Sequence, residues 1–456
     1  MKGRTMHRAG FLILGFLLTL QQTWGQPRFE RSTESGLLYY EAINLVSRDS
    51  SKSRIDVLYR ISHGFFIPVK NTDSTFPWNF KRSGEILVEL IDSLDVSKAR
   101  DIHRFDVGAD RIEDDLNPKG WYQGFVSFNV SPGLHRIVIE INDLESTRSF
   151  LDRKSTIRAK KFDLNVFETS TPLFIYWTND AFPPKGINPE NFGGNLEFGA
   201  GSALFFELSS NVSPEKPITI DYSFSARQGP GEESTVVLAD TIHRPMTFSH
   251  FELERAETDE SMRYDVATSE NAGALGIVVP FSSKKLPLRR FTLTLTVKQD
   301  TAETKINKSF QTVWPEMPTS LKDVDRALQA LHYITTEEVL DSLTEGSFET
   351  RRNNLEAFWA TRDTTPETAY NEVMTEYYRR VDYASRSFGT LNESDGVETD
   401  RGRIYILHGP PTKTERKLDP SSGFREVWVY EDLNKKFVFI DTRKSGDYVL
   451  SYTQDL

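Results

Sequence analysis

Thr399-Asp400-Arg401-Gly402-Arg403 is the polar constellation in this 456-residue chain best suited to chemistry. A carboxylate beside two guanidiniums and a hydroxyl can line a pocket for a charged or glycan ligand, or serve a hydrolase. The same residues can also close a turn. Asp400 would then cap it, Thr399 would bond the backbone, and an Arg would pair with Glu398 or a helix carboxylate. Glu372 and Asp382 fall on one expected helix, roughly 15 Å apart along its axis, which exceeds the carboxylate spacing of glycosidases. Glu372, next to Asn371, can still face Arg401 or Arg403. His408 stands before Gly409-Pro410-Pro411, as a loop residue or as a base.

Other patterns lack their context. Ser282-Ser283-Lys284-Lys285 has Ser–Lys spacing but no helix to align the pair. Gly193-Gly194 and Gly199-Ala200-Gly201 precede strands, whereas a phosphate cradle opens a helix. Glu113-Asp114-Asp115 lacks the spacing of a calcium loop and reads as a solvated turn. Trp121-Tyr122 and Trp177 offer flat rings, either to a sugar or to a sandwich core. There is no Cys, which excludes disulfides, thiolate metal sites and Cys nucleophiles. The histidines show no close metal-ligand spacing, so no metal and no cofactor are expected.

The elements that would hold these residues follow from periodicity. Leu37–Val46, Arg54–Ile61, Glu85–Ile91, Gly124–Val130, Leu134–Ile141 and Ile157–Val166 read as strands, divided by turn signals such as Ser131-Pro132-Gly133. A second β-rich run extends to about Trp314, and Phe291–Val297 alternates apolar residues with Thr. Strands at this spacing predict two immunoglobulin-like β-sandwich modules. Pro315 and Pro318 mark a boundary, after which helix signals begin. Thr365-Pro366 is expected to open the longest helix, with Tyr370, Val373, Tyr377, Val381 and Ala384 on its buried stripe. Gly389 would end it. Arg403–Leu407, Arg425–Tyr430, Lys436–Asp441 and Tyr448–Tyr452 are then expected as strands of a small sheet.

One set of residues resembles a known family. Phe358-Trp359, Arg362–Pro366, Asn371-Glu372, Tyr377–Val381 and Phe388 come first. Gly396 and Thr399–Ile406 follow, then His408–Pro411, Glu426–Tyr430, Phe437–Phe439 and Tyr448–Leu450. Together they are similar to the GWxTD-domain proteins, exported bacterial proteins of uncharacterised function. The resemblance covers about residues 320–456, with Val397 where the family name places Trp. It implies that Gly396, Thr399, Asp400, Arg401, Gly402, Arg403 and Tyr405, with Glu372, form the motif region and a possible binding site.

Residues 1–25 read as a cleaved signal peptide: Lys2, Arg4 and Arg8, a short apolar run Phe11–Leu20, then Thr23 and Gly25 before Gln26. That run is too short to span a bilayer, and no later segment is apolar enough. Without residues 1–25 the chain carries 52 basic and 66 acidic residues, a net −14, which argues against nucleic-acid binding. The expected organisation is a mainly β multidomain protein: 26–168 and 169–315 as sandwiches, 316–364 as a helical linker, and 365–456 as an α+β domain. The expected role is a non-catalytic protein of the cell envelope, periplasmic, surface-bound or secreted, binding a protein or glycan partner. The alternatives are a hydrolase centred on Asp400 and Arg401, and a structural subunit of a cell-surface complex.

Overall fold

The computed structural model describes residues 36–47, 49–109, 120–163, 165–177, 186–209, 216–227, 233–248, 251–255, 262–266, 274–390, 393–419 and 423–456. The signal-peptide expectation and the acidic run Glu113–Asp115 lie outside these residues. The chain is a β-rich multidomain protein with a few helices near its end.

Four sheets are packed one over another, because two strands near the start are apolar on both faces. Ser53–Ser62 pairs antiparallel with Leu38–Leu45 on one side and Trp121–Val130 on the other, a three-stranded sheet. Its Ile55, Val57, Tyr59 and Ile61 point toward an outer six-stranded sheet, where they meet Ile86, Val88, Ile139 and Ile141. The opposite face of the same sheet carries Ile43, Leu45 and Leu58. These pack on Leu173, Ile175, Ala203, Phe205 and Val278 of an eight-stranded sheet. Strand alternation then sends Phe174, Leu204, Phe206 and Ile277 of that sheet the other way, onto the five-stranded sheet that holds Phe291, Leu293, Leu295 and Val297. The two β units therefore share a largely apolar, buried seam.

Two strands carry no apolar signature in the sequence. Among the described residues Ser97–Ala109 pairs only with Phe80–Asp92, and Lys413–Asp419 only with Gly423–Tyr430. Both are edge strands, and their charged side chains suit an edge that must not template further pairing.

The seam also buries two carboxylates. Glu190 accepts the Glu197 N–H at 2.6 Å near Arg60, and Glu207 accepts the Val46 N–H at 2.6 Å beside the Arg54–Asp56 pair. Burial pushes Glu190 up to about 8 and Glu207 up to about 7, against an ordinary 4.5. A raised acid pKa means that the folded chain holds protons which the unfolded chain has released. Stability contributed here is present below pH 4.5 and declines as pH rises toward 8. Glu190→Gln should remove most of its share of that decline, raising stability at pH 8 by about 2–4 kcal/mol. Urea unfolding of both proteins at pH 6 and pH 8 checks it. An equal loss in the two would contradict a buried, proton-holding Glu190.

Beyond the β stack come helices α1 (Val324–Gln329), α2 (Glu337–Thr344), α3 (Phe348–Ala360), α4 (Glu372–Ser387) and α5 (Asp400–His408). A four-stranded antiparallel sheet, Lys413–Asp419, Gly423–Tyr430, Lys435–Asp441 and Val449–Asp455, closes the chain. One apolar cluster runs from Leu321 and Leu328 through Trp359, Tyr378 and Val381 to Trp428 and Phe439. The helices of 316–364 and the α+β part of 365–456 thus contribute to the same core.

Two expectations about this part are corrected. Arg403–Leu407 is helical, inside α5. The apolar run Ile404–Leu407 fits a strand or a buried helix equally well, and the N-terminal cap decides. The Thr399 side chain accepts the Gly402 N–H, and Asp400 sits in the first turn, where the helix dipole favours an acid. The longest helix starts at Glu372, with Asn371 as its cap, not at Thr365-Pro366. Asn371 accepts the Met374 N–H, while the Glu372 carboxylate reaches back to the Thr365 and Thr368 hydroxyls and holds that stretch in turns. Val373 is consequently exposed, and the buried stripe is Tyr377, Tyr378, Val381 and Ala384.

Candidate functional site

The motif region is a tight junction of three pieces: the C-terminus of α4, a 3-10 turn at Gly396–Glu398, and the first turn of α5. The pieces touch through backbone. A Cβ on Gly396 would stand 2.0 Å from the Ala384 carbonyl oxygen, and one on Gly402 would stand 1.9 Å from that of Gly396. Only a residue without a side chain fits either place. The Thr399 hydroxyl donates to the Gly396 carbonyl at 2.8 Å and accepts the Gly402 N–H at 3.0 Å, tying turn to helix.

The charged members are engaged as well. Asp400 accepts the backbone N–H of Leu450 at 2.8 Å through one oxygen and Arg403 at 2.9 Å through the other. It thus joins α5 to the last strand. Arg401 is buried and reaches across to the central strands of the sheet. Its guanidinium lies 3.5 Å from Glu426, donates to the Gly446 carbonyl at 3.2 Å, and covers the rings of Tyr448 and Phe388. Desolvation pulls its pKa down, and Glu426 opposes that pull. Glu426 is itself buried, and it also accepts the indole N–H of Trp428 at 2.8 Å and pairs with Arg416. The sequence places Glu426 in the family-like run Glu426–Tyr430 and assigns it no site role. A charged residue inside the apolar run Val427–Tyr430 was the available signal.

Val397 points into the apolar core, 5% exposed, and its carbonyl accepts the Tyr333 hydroxyl at 2.8 Å. The position named for Trp in the family is an interior niche here, filled by a smaller side chain. Tyr405 is half-buried and stacks on Tyr383 at 4.4 Å. His408 lies against Phe437 and Tyr430, and burial lowers its pKa.

Glu372 does not join this group through any hydrogen bond or ion pair among the described residues. Its carboxylate is held by Thr365 and Thr368, which keep its pKa low, and it lines a separate cleft with Trp121. Asp382, on the same helix, accepts the Thr319 and Ser320 N–H groups and pins the start of the helical part to α4. In the Ser282–Lys285 stretch, which forms a short 3-10 turn, the Ser283 hydroxyl donates to the Ala200 carbonyl. Among the described residues no three His, Asp or Glu side chains gather as metal ligands, and no helix is long and apolar enough to cross a membrane.

Residues 284–455 match the family model described as the GWxTD domain, which begins before the last two long strands of the five-stranded sheet and runs to the final strand. No curated protein matches. Among solved structures, a red sea bream transglutaminase is 8% identical with a TM-score of 0.17, over 60% of this chain and 31% of that one. The chain thus spans about a third of that enzyme's length. A collagen adhesin from S. aureus is 9% identical with a TM-score of 0.16, over 59% of this chain and 93% of that one. Likeness at this level carries no argument about activity.

Proposed function

This chain is a GWxTD-domain protein, and from that premise we propose that it is an exported, non-catalytic protein of the cell envelope that binds a protein or glycan partner. One observation carries the non-catalytic reading. The polar side chains at the heart of the motif, Thr399, Asp400, Arg401 and Arg403, are occupied with one another, with backbone groups, or with Glu426. A reactive centre needs groups within reach of a substrate and poised to change partners. These groups fasten a turn, a helix and a sheet together. Export is supported by the basic and apolar pattern of residues 1–25, and partner binding by the clefts and edges of a long β stack.

The test uses the full chain produced in a bacterial host. The mature protein is expected outside the cytoplasm with Gln26 as its first residue, and without turnover of ester, glycoside or peptide substrates. Turnover that Asp400→Asn abolishes while thermal unfolding is unchanged would sink the non-catalytic reading. Retention in the cytoplasm with residues 1–25 intact would sink export.

A further inference from the structure

A cleft of about 470 Å³ opens where both β units meet the helical part. That volume lies within the ~300–1,000 Å³ range of small-molecule sites. Its walls come from five separate stretches of chain. Arg60 and Trp121 belong to two strands of the first β unit, Glu197 to the second unit, Trp314 to the connector, and Tyr370 and Glu372 to the segment entering α4.

The aromatic surfaces are held by neighbouring side chains and backbone. The Trp121 ring is covered on one side by the Arg60 guanidinium at 4.8 Å, and Arg60 in turn sits over Phe192 at 4.1 Å. Trp314 and Tyr370 meet at 5.1 Å, at 60° to each other. The Tyr370 hydroxyl donates to the Phe198 carbonyl, and the Phe198 ring meets Tyr370 edge-on at 5.2 Å. Such anchoring lowers the ordering cost of binding.

The polar groups between the rings are mixed in sign. Glu197 accepts from the Tyr176 hydroxyl at 2.5 Å, and Glu372 accepts from the threonines already described. A carboxylate has about four acceptor positions, so each can take further donors. At the rim Arg379 pairs with Glu316 at 3.1 Å. Arg379 is already paired with Glu316, and Arg60 stands against the two remaining carboxylates, so the lining holds too little net charge to select an ammonium ligand, and a wholly apolar ligand would leave the carboxylates desolvated and unpaired. A sugar ring answers both demands. Its C–H face stacks on an indole or phenol ring, and its hydroxyls donate to carboxylates and accept from guanidiniums. Three lining acids against two bases disfavour an acidic sugar.

We propose that this junction cleft binds one or two rings of a neutral or N-acetylated saccharide. The proposal rests on the partner-binding reading above and specifies its glycan branch. The ligand would bridge both β units and the helical part, so occupancy would also stabilise their mutual arrangement.

The test is calorimetric and fluorescence titration of the full mature chain with chitotriose, maltotriose and trigalacturonate. Saturable binding of at least one neutral probe is expected, with trigalacturonate weaker. Trp121→Ala and, separately, Glu372→Gln should each weaken that binding by ~10-fold or more, while Trp121→Phe retains most of it. Unfolding curves of each variant verify that it is folded. No saturable response to either neutral probe would overturn the cleft proposal and leave the non-catalytic reading standing. Unaltered affinity in folded Trp121→Ala and Glu372→Gln would place any glycan elsewhere and overturn it too. Tighter binding of trigalacturonate would contradict the charge argument and with it the proposal. Release of new reducing ends, lost in Glu372→Gln, would support the cleft as a sugar site and overturn the non-catalytic reading.

Discussion

Gly402→Ala should cost the C-terminal part about 3–5 kcal/mol, and Gly396→Ala should cost about as much. The reason is contact, not backbone freedom, since neither glycine has a positive φ. The added methyl at 402 would press on the carbonyl oxygens of Gly396 and Val397, at 1.9 and 2.9 Å, and the one at 396 on the last turn of α4. Carbonyl and methyl must part by more than an ångström, and every atom available to move is backbone. Moving the Gly396 carbonyl also withdraws the acceptor of the Thr399 hydroxyl, and so loosens the cap of α5. Gly446→Ala is the comparison. Gly446 has φ +84° with nothing within 4 Å of its new methyl, so it carries only a left-handed backbone cost of about 1 kcal/mol. Chemical unfolding of the full chain, followed by tryptophan fluorescence, should rank Gly402 and Gly396 well above Gly446. Equal losses at all three would mean that crowding at the turn is not what those glycines prevent.

The same junction shows what could be read ahead of the structure and what could not. The β stack was legible because strand alternation is a local signal: Phe291–Val297 shows its dry and wet faces in seven residues. The double-faced burial of Ser53–Ser62 was written there too, as Ile55, Val57, Leu58, Tyr59 and Ile61 together, though which sheet lies on each face is a long-range fact. The charged edge strands escaped notice because an edge is defined by the absence of a neighbour. Helix α5 reads as a strand in the sequence because Ile404, Tyr405, Ile406 and Leu407 form a short apolar run, which fits a buried strand as well as a buried helix. Thr399 and Asp400 fit a helix cap as well as a closed turn, and the choice between them depends on the backbone that follows. The polar tetrad itself was found by composition alone. Its assignment as a fastener needed Leu450, Gly446 and Glu426, which lie 25 to 50 residues further along the chain.

Removing one member of the Arg401–Glu426 pair should be the other large effect. Glu426→Ala would strand the Arg401 guanidinium in a site where only the Gly446 carbonyl and two ring faces answer its charge. It would also leave the Trp428 indole N–H without its acceptor and release Arg416. Breaking a buried pair on one side costs about 3–5 kcal/mol, most of it the desolvation of the abandoned ion. Arg401→Met should cost a similar amount, because Glu426 is the more deeply buried partner, at 1% exposure against 8%. The combined Arg401→Met, Glu426→Leu variant should recover most of either loss, since no ion is then left in the core and both apolar chains can pack against Phe388 and Trp428. Arg416 lies at the rim, 71% exposed, and can return to water. Urea unfolding of the two single variants and the double one decides the matter. A double variant as unstable as the sum of its singles would show that the ions act independently. It would also return Arg401 to the set of groups available for a ligand, held in the fold by the Gly446 carbonyl and the two ring faces and not by Glu426.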